Sequence, residues 1–237
     1  MQWKVGEPFK IALFYRYVLI DDIEANISFL RKHCETLGLL GRILVSGEGL
    51  NGTLAGSIQA VDEFVKQLSE DERFSKIDWK FTVDNGDQLP FLGLSIRQVD
   101  EIISSGKAKS FINNNIQFNN DTYGGIVGTG THLTPEEFHA AIAKKDGIIL
   151  DVRNEFEYDI GHFQGSTNLK TFNYAETFGV LDELVVNKPQ YRHETSVEED
   201  SKQEQPQNVY MYCTGGIRCE KASAYLCAKG VKNVYQV

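Results

Sequence analysis

The sequence predicts a two-domain α/β protein, with an N-terminal ferredoxin-like sandwich of order βαββαβ and a C-terminal, doubly wound parallel sheet. Three observations lead to this fold class. The length of 237 residues suits two small domains. The first 85 residues alternate strand-like and helix-like patterns in the order of a ferredoxin-like sandwich. After residue 130, short apolar strands are separated by helices, which is typical of a parallel sheet.

The first predicted domain, residues 1–85, follows from hydrophobic periodicity and turn residues. Strands are expected at 9–20, 42–46, 53–55 and 79–83, and helices at 23–37 and 58–68. Asp21 or Asp22 would cap the first helix, and Gly38 would end it. The pair Asn51-Gly52 predicts a two-residue hairpin turn, because a type I′ turn needs positive φ at both central residues.

Residues 86–130 are predicted to connect the domains and to contain one helix, from Arg97 to Ser104. The second domain, residues 131–237, begins with a capping box at Thr134-Pro-Glu-Glu137, in which proline takes the first helical position. Its strands are expected at 147–152, 166–169, 209–213 and 231–237, and its helices at 155–160, 177–184 and 220–228. The segment Lys188 to Gln207 has almost no large apolar residue, which predicts a disordered acidic insertion within this domain.

The composition excludes several classes of protein. No apolar run approaches the roughly 18 residues of a membrane span, so no membrane partner is expected. Four cysteines are too few and too unevenly spaced for a disulfide scaffold, which favours a reducing compartment, the cytoplasm. The spacings of Cys213, Cys219 and Cys227 fit no common zinc pattern, so no metal site is expected. Gly47-x-Gly49-x-x-Gly52 precedes a strand rather than a helix, which excludes a dinucleotide fingerprint.

The strongest chemical signal is Cys213, which ends an apolar strand. It is followed by Thr214-Gly215-Gly216-Ile217-Arg218 and by a helix that begins near Cys219. A thiol at this end of a parallel strand lies where open α/β sheets place their sites. Loop amides, the helix N-terminus and the Arg218 cation all stabilise a thiolate, so Cys213 is predicted to be a nucleophile with a lowered pKa. Cys219 either resolves a persulfide or disulfide on Cys213 or only begins the helix.

This loop resembles the active-site loop of the rhodanese superfamily, Cys-x-x-Gly-x-Arg, with Cys213, Gly216 and Arg218 in register. The segment Asp151 to Gly165 resembles the rhodanese segment that begins Asp-x-Arg and continues through Glu-Tyr to Gly-His-x-x-Gly. The resemblance implies a rhodanese-like C-terminal domain in which Asp151 and Arg153 brace the neighbouring loops, although a helix-capping Asp and a surface Arg are equally open roles. The loop is one residue shorter than in the related dual-specificity phosphatases, which disfavours phosphatase activity.

The run Met211 to Tyr225 is most similar to that of the rhodanese-type tRNA uridine hydroxylases, which join an acylphosphatase-like domain to a rhodanese domain. Phe14 to Tyr17 and Gly41 to Gly52 resemble the first strand and hairpin of that family. The resemblance implies formation of 5-hydroxyuridine at the tRNA wobble position, with molecular oxygen as co-substrate, tRNA rather than DNA as partner, and no other cofactor identified.

A net charge of −9 means that tRNA would have to bind a locally basic patch, for which the candidates are Arg42, Lys107 and Lys109. Two other functions stay open. A sulfurtransferase would carry a persulfide on Cys213 and would use thiosulfate or a thiol acceptor as its partner. The third is a catalytically silent binding module.

The end of the sequence departs from the family pattern. Rhodanese domains usually continue past the last strand into a Gly-Gly loop and a final helix, whereas this sequence stops at Val237. The cysteine-rich C-terminal region of bacterial family members is also missing from it. The sequence is therefore expected to be truncated at the C-terminal end of the rhodanese-like domain.

Overall fold

A computed structural model describes residues 3–88, 90–191 and 207–237 of the chain. The protein divides into two compact units: Met1–Ile103 with Phe118–Gly125, and Ser104–Gln117 with Ile126–Val237. The residues predicted as a connector, 86–130, are therefore shared between the two units.

The first unit is a five-stranded sheet with two helices packed against it. Its strands are β1 (Phe9–Tyr17), β2 (Leu40–Ser46), β3 (Gly49–Ser57), β4 (Lys80–Asp84) and β5 (Leu94–Gln98), and its helices are α1 (Ile23–Leu37) and α2 (Ile58–Ser69). The strand order is β4-β1-β3-β2-β5, antiparallel except for the parallel pair of β2 and β5. The predicted ferredoxin-like sandwich is confirmed, with one strand added at its edge.

Local sequence determines the ends of α1 as predicted. The Asp22 carboxylate accepts a hydrogen bond from the backbone N–H of Ala25 at 2.8 Å, which caps the first turn. Gly38 ends the helix in the left-handed region, at φ 68°. The buried stripe of α1, which includes Leu30 and Cys34, packs into one apolar core with α2 and the sheet.

The predicted hairpin turn at Asn51-Gly52 is wrong. Ser46 pairs with Gly49, so the turn between β2 and β3 lies at Gly47 and Glu48 and the Asn-Gly pair lies inside β3. Gly52 is needed there for packing, since a Cβ atom would lie 2.6 Å from the Phe14 ring. The propensity of Asn-Gly for turns is therefore overridden by a close tertiary contact.

The predicted helix from Arg97 to Ser104 is also wrong, because β5 occupies its start and pairs with β2. Beyond the strand, the backbone of Ile102 is bound to the β2–β3 hairpin. Its N–H donates to the Glu48 carboxylate at 2.8 Å, and its carbonyl accepts from the Asn51 amide at 3.1 Å. The N–H and carbonyl of Ile102 are therefore satisfied by these side chains and not by backbone partners within a helix.

The second unit is a parallel sheet surrounded by helices. Its strands are β6 (Thr131–His132), β7 (Gly147–Asp151), β8 (Thr167–Asn168), β9 (Asn208–Tyr212) and β10 (Val234–Gln236), and its helices are α3 (Lys109–Asn115), α4 (Pro135–Ile142), α5 (Glu155–Ile160), α6 (Thr177–Leu181) and α7 (Ile217–Ala228). The order is β6-β10-β9-β7-β8, with every pairing parallel. None of the helices in the described parts of the two units combines the length and apolar character that crossing a bilayer requires.

The central strand β9 is buried on both faces, as the predicted doubly wound sheet requires. Tyr210 and Tyr212 belong to the cluster around Phe138 of α4, whereas the alternating residues Val209 and Met211 are fully buried on the opposite face. The predicted capping box starts α4. The backbone N–H of Glu137 donates to the Thr134 hydroxyl at 3.2 Å, and the Glu137 carboxylate accepts from the N–H of Thr134 at 2.8 Å.

The predicted insertion begins too early in the sequence. Pro189–Tyr191 form a 3₁₀ turn, and Tyr191 is buried. The backbone N–H of Gln207 donates to the carbonyl of Gln190 at 2.7 Å, which holds the two flanks of the segment together. Residues 188–191 therefore belong to the folded unit, and the remaining part of the prediction, 192–206, lies outside the described residues.

Candidate active site

Cys213 occupies the carboxyl end of the central parallel strand. Because β9 ends at Tyr212 and α7 begins at Ile217, the connecting loop consists of Cys213 to Gly216. Gly216 has φ 91°, a conformation that favours glycine, and its N–H donates to the Cys213 sulfur at 3.1 Å. Cys213 as a residue is partly exposed. The loop therefore holds the sulfur atom against a backbone amide at the N-terminus of α7, in a residue that is not fully buried.

The second cysteine of the loop region contacts the first. Cys219 lies in the first turn of α7 and is 0% exposed, and both its thiol and its backbone N–H donate to the Cys213 sulfur. These hydrogen bonds, with the positive charge of Arg218, outweigh burial and lower the pKa of Cys213 to about 5. Burial and the neighbouring sulfur raise the pKa of Cys219 well above its ordinary value. At neutral pH the two cysteines are thus one thiolate and one thiol.

Arg218 is fixed by a carboxylate from a different helix. Its two terminal nitrogens donate to the Glu157 oxygens at 2.6 and 2.9 Å, and one of them also donates to the Thr214 hydroxyl at 2.9 Å. Thr214 in turn donates to Glu157 at 2.9 Å. Burial raises the pKa of Glu157, but the Arg218 hydrogen bonds outweigh it and lower that pKa to about 2, so the pair is ionised at neutral pH.

Glu157 was missed as a site residue by sequence reasoning. The available signal was its place in the Glu-Tyr element of the Asp151–Gly165 segment, since an acidic residue there can face the arginine of the cysteine loop. Glu157 and Arg218 are 61 residues apart in the chain, so no local sequence pattern could predict that they form a pair.

Asp151 and Arg153 lie behind the loop in a buried polar layer. Asp151, 0% exposed at the end of β7, accepts hydrogen bonds from Arg153 Nε at 2.9 Å and from the Tyr212 hydroxyl at 2.6 Å. Arg153 also donates to the carbonyl of Gly161 at 2.6 Å, and the Tyr212 oxygen accepts from the N–H of Phe163 at 3.1 Å. The layer joins the ends of β7 and β9 to the loop that follows α5, and so supports the strand end from which Cys213 projects.

The basic residues singled out as RNA contacts lie in both units. Arg42 is exposed on β2 of the first unit. Lys107 and Lys109 belong to the second unit, in a segment whose Gly106 lies against Ala175. The neighbouring Tyr174 donates its hydroxyl hydrogen to the carbonyl of Arg218 at 2.7 Å, so Tyr174 contacts the first turn of α7. Within the described residues, no group of three or more His, Cys, Asp or Glu side chains is placed to hold a metal ion.

Comparison with known proteins identifies both domains. Residues 9–102 match the UPF0176 acylphosphatase-like domain, and residues 134–237 match the rhodanese-like domain. The chain is 33% identical over 233 residues to the tRNA uridine(34) hydroxylase of Streptococcus uberis, an alignment that covers 98% of this chain and 63% of that protein. The protein of the same name from Bacillus pumilus is 34% identical over 231 residues, covering 98% of this chain and 62% of the relative. The protein of the same name from Staphylococcus haemolyticus is 33% identical over 229 residues, covering 97% of this chain and 62% of the relative. The chain thus spans less than two thirds of the length of these relatives.

Proposed function

We propose that this chain hydroxylates uridine 34 of tRNA. Two findings support the proposal: the chain matches a UPF0176 acylphosphatase-like domain followed by a rhodanese-like domain, and relatives that align with nearly all of it bear the name tRNA uridine(34) hydroxylase. The product is 5-hydroxyuridine, and molecular oxygen is the co-substrate. Since the substrate is tRNA, the reaction belongs to the cytoplasm.

The observation that carries this proposal is the state of Cys213. Its pKa, lowered to about 5, leaves the sulfur ionised at neutral pH; the Gly216 N–H donates to the sulfur at 3.1 Å, and the residue is partly exposed. An ionised sulfur of this kind can attack an electron-poor carbon or react as a redox group with an oxygen species. Either ability suits a residue that works on a nucleobase with oxygen as co-substrate.

The charge arrangement around the sulfur favours a neutral substrate. Both terminal nitrogens of Arg218 are already bound to Glu157, so the positive charge nearest to the thiolate is balanced by a carboxylate. Thiosulfate, the donor of a sulfurtransferase, is a dianion that would approach a thiolate and a carboxylate together. A uracil ring carries no charge and meets no such repulsion.

We assign Arg42, Lys107 and Lys109 to the tRNA backbone. Arg42 and Lys107 are exposed, and the protein is otherwise strongly acidic, with a net charge of −9. Phosphate contacts add affinity in proportion to the number of charges neutralised. Lys107→Glu is expected to weaken tRNA binding severalfold at low salt, whereas Lys32→Glu, on the exposed face of α1, serves as the control for the change in net charge.

The function is tested with purified protein, unmodified tRNA, oxygen and a thiol reductant, followed by nuclease digestion and mass spectrometry of the nucleosides. Wild type and Cys227→Ser are expected to form 5-hydroxyuridine only when oxygen is present, and Cys213→Ser is expected to form none. A parallel incubation with thiosulfate and cyanide measures sulfur transfer. Unmodified tRNA together with rapid thiocyanate formation would assign the chain to the sulfurtransferases instead.

A further inference from the structure

We propose that Cys219 is a second redox residue of this site, which forms a disulfide with Cys213 and thereby supplies, with it, the two electrons that oxygen needs. This inference deepens the proposed hydroxylation and rests on it. It assigns a chemical task to a buried thiol in the first turn of α7.

The contact between the two residues is already present in the resting site. The Cys213 sulfur lies at the N-terminus of α7, where it accepts from the N–H of Gly216, the residue before the helix, at 3.1 Å. Cys219 lies in the first turn of the same helix, and hydrogen bonds from its thiol and its N–H lower the pKa of Cys213. Because the thiol of Cys219 is one of the donors to the Cys213 sulfur, the Cys219 sulfur lies next to the Cys213 sulfur. To form a disulfide, the two sulfurs must approach to about 2.05 Å with a Cβ–S–S–Cβ dihedral near 90°.

The two cysteines differ in ways that suit successive steps. Cys213 is partly exposed and ionised, so it meets substrates, whereas Cys219 is 0% exposed and protonated. A solvent thiol or oxidant therefore reaches Cys213 first. Cys219 can react only with a group that has formed on Cys213, which is the behaviour of a resolving cysteine.

The electron count of the proposed reaction calls for such a residue. Hydroxylation breaks a C5–H bond and the O–O bond and places one oxygen atom on C5; the other atom needs two electrons and two protons to leave as water. In the first step, the Cys213 thiolate takes up the second oxygen atom together with one proton and becomes a sulfenic acid, S–O–H. In the second step the Cys219 thiol displaces that oxygen: S–S forms, S–O and S–H break, and water leaves with the thiol proton. A cellular dithiol then reduces the disulfide for the next turnover.

The alternative role for Cys219 is that of a positioning residue, whose hydrogen bonds merely stabilise the Cys213 thiolate. Cys219→Ser separates the two roles, because a hydroxyl keeps a hydrogen-bond donor at this position but cannot form a disulfide. Cys227→Ser, which removes another thiol of α7, is the matched control.

The test uses the full chain, reduced and then freed of thiol, with unmodified tRNA and oxygen. Wild type and Cys227→Ser are expected to make about one 5-hydroxyuridine per chain and to lose about 2 Da in the peptides that carry Cys213 and Cys219, as a disulfide requires. Cys219→Ser is expected to form no such disulfide, to accumulate dimedone-reactive sulfenic acid on Cys213, and to turn over at least tenfold more slowly when thioredoxin and its reductase are the only reductant.

A second arm replaces tRNA and oxygen by a stoichiometric amount of hydrogen peroxide. The disulfide is expected in wild type, and trapped sulfenic acid is expected in Cys219→Ser. Equal turnover of wild type and Cys219→Ser, or product formation in wild type with both thiols still free, would overturn the inference while leaving the hydroxylase assignment intact. Absence of 5-hydroxyuridine from every wild-type reaction would instead overturn the proposed function and the electron-supplying role with it.

Discussion

The charge pair beside Cys213 allows a prediction in which two substitutions act in opposite directions. Arg218→Gln removes the positive charge that stabilises the thiolate and leaves Glu157 negative beside the loop. An opposite charge at close range lowers the pKa of an acid by roughly 1 to 3 units, so its loss should raise the pKa of Cys213 from about 5 to roughly 6 to 8. Glu157→Gln removes a negative charge instead, so the pKa of Cys213 should stay near 5 or fall.

The pH midpoint of alkylation must be measured, because a rate at a single pH would mislead. With its pKa at about 5, Cys213 is about nine-tenths thiolate at pH 6, whereas a thiol at the ordinary 9.0 is about 0.1% ionised. The nucleophilicity of a thiolate falls with its pKa, with a slope of about 0.4 to 0.5 in logarithmic units. At pH 6, a rise of two pKa units in the Arg218→Gln variant would therefore lower the thiolate fraction about tenfold and raise the nucleophilicity of the thiolate by about six- to tenfold, so the two effects nearly cancel.

The assay is the rate of iodoacetamide alkylation of the Cys213 peptide between pH 4 and 9, followed by mass spectrometry, with near-ultraviolet circular dichroism to verify folding. The expected midpoints are near pH 5 for wild type, one to three units higher for Arg218→Gln, and no higher than wild type for Glu157→Gln. An Arg218→Gln midpoint equal to that of wild type, in a folded protein, would refute the electrostatic account of Cys213.

Three further predictions concern stability. Tyr212→Phe removes the hydroxyl that donates to the buried Asp151 carboxylate at 2.6 Å, while the bonds from Arg153 remain. The free energy of unfolding, measured by urea denaturation, should fall by about 1–3 kcal/mol; no change would mean that this hydrogen bond contributes nothing. Gly125→Ala should abolish or severely weaken folding, because its Cβ would lie 1.8 Å from a carbonyl oxygen of β1. The control Gly128→Ala has a similarly positive φ but no atom within 4 Å of its Cβ, so it should lower the free energy of unfolding by only about 1–2 kcal/mol. Similar losses of stability in the two variants would contradict the steric argument. Replacing 192–206 by a short Gly/Ser linker should shift the melting temperature by no more than a few degrees, because the flanking backbone is already joined by a 2.7 Å hydrogen bond.

Errors in the sequence-based prediction of the fold have a common physical cause. Asn51-Gly52 has high turn propensity, yet it lies within β3 because Gly52 packs against the Phe14 ring. Residues 97–104 have a pattern compatible with a helix. They are not helical, because β5 pairs with β2 and the backbone of Ile102 forms hydrogen bonds with the β2–β3 hairpin. In both places a partner that is distant in sequence supplies the packing or hydrogen bonds that decide the conformation.

The sequence by itself determined the elements whose causes are local. The Asp22 cap, the end of α1 at Gly38 and the capping box at Thr134 depend on residues within one helical turn, and the class of each domain follows from the order of its elements. The place of Cys213 between a strand end and a helix start was predictable for the same reason, since the strand, the glycines and the helix that surround it are contiguous in the chain.

Only the tertiary structure decided which groups surround that cysteine. Glu157 reaches Arg218 across 61 residues, and Asp151 reaches Tyr212 across the same separation, because β7 and β9 lie side by side in the sheet. The direction of Cys219 is likewise set by the first turn of α7, which aims its thiol and its N–H at the Cys213 sulfur. Charge balance and thiol contact depend on distances of a few ångströms between separately folded elements, and such distances exist only once the sheet and its helices have packed.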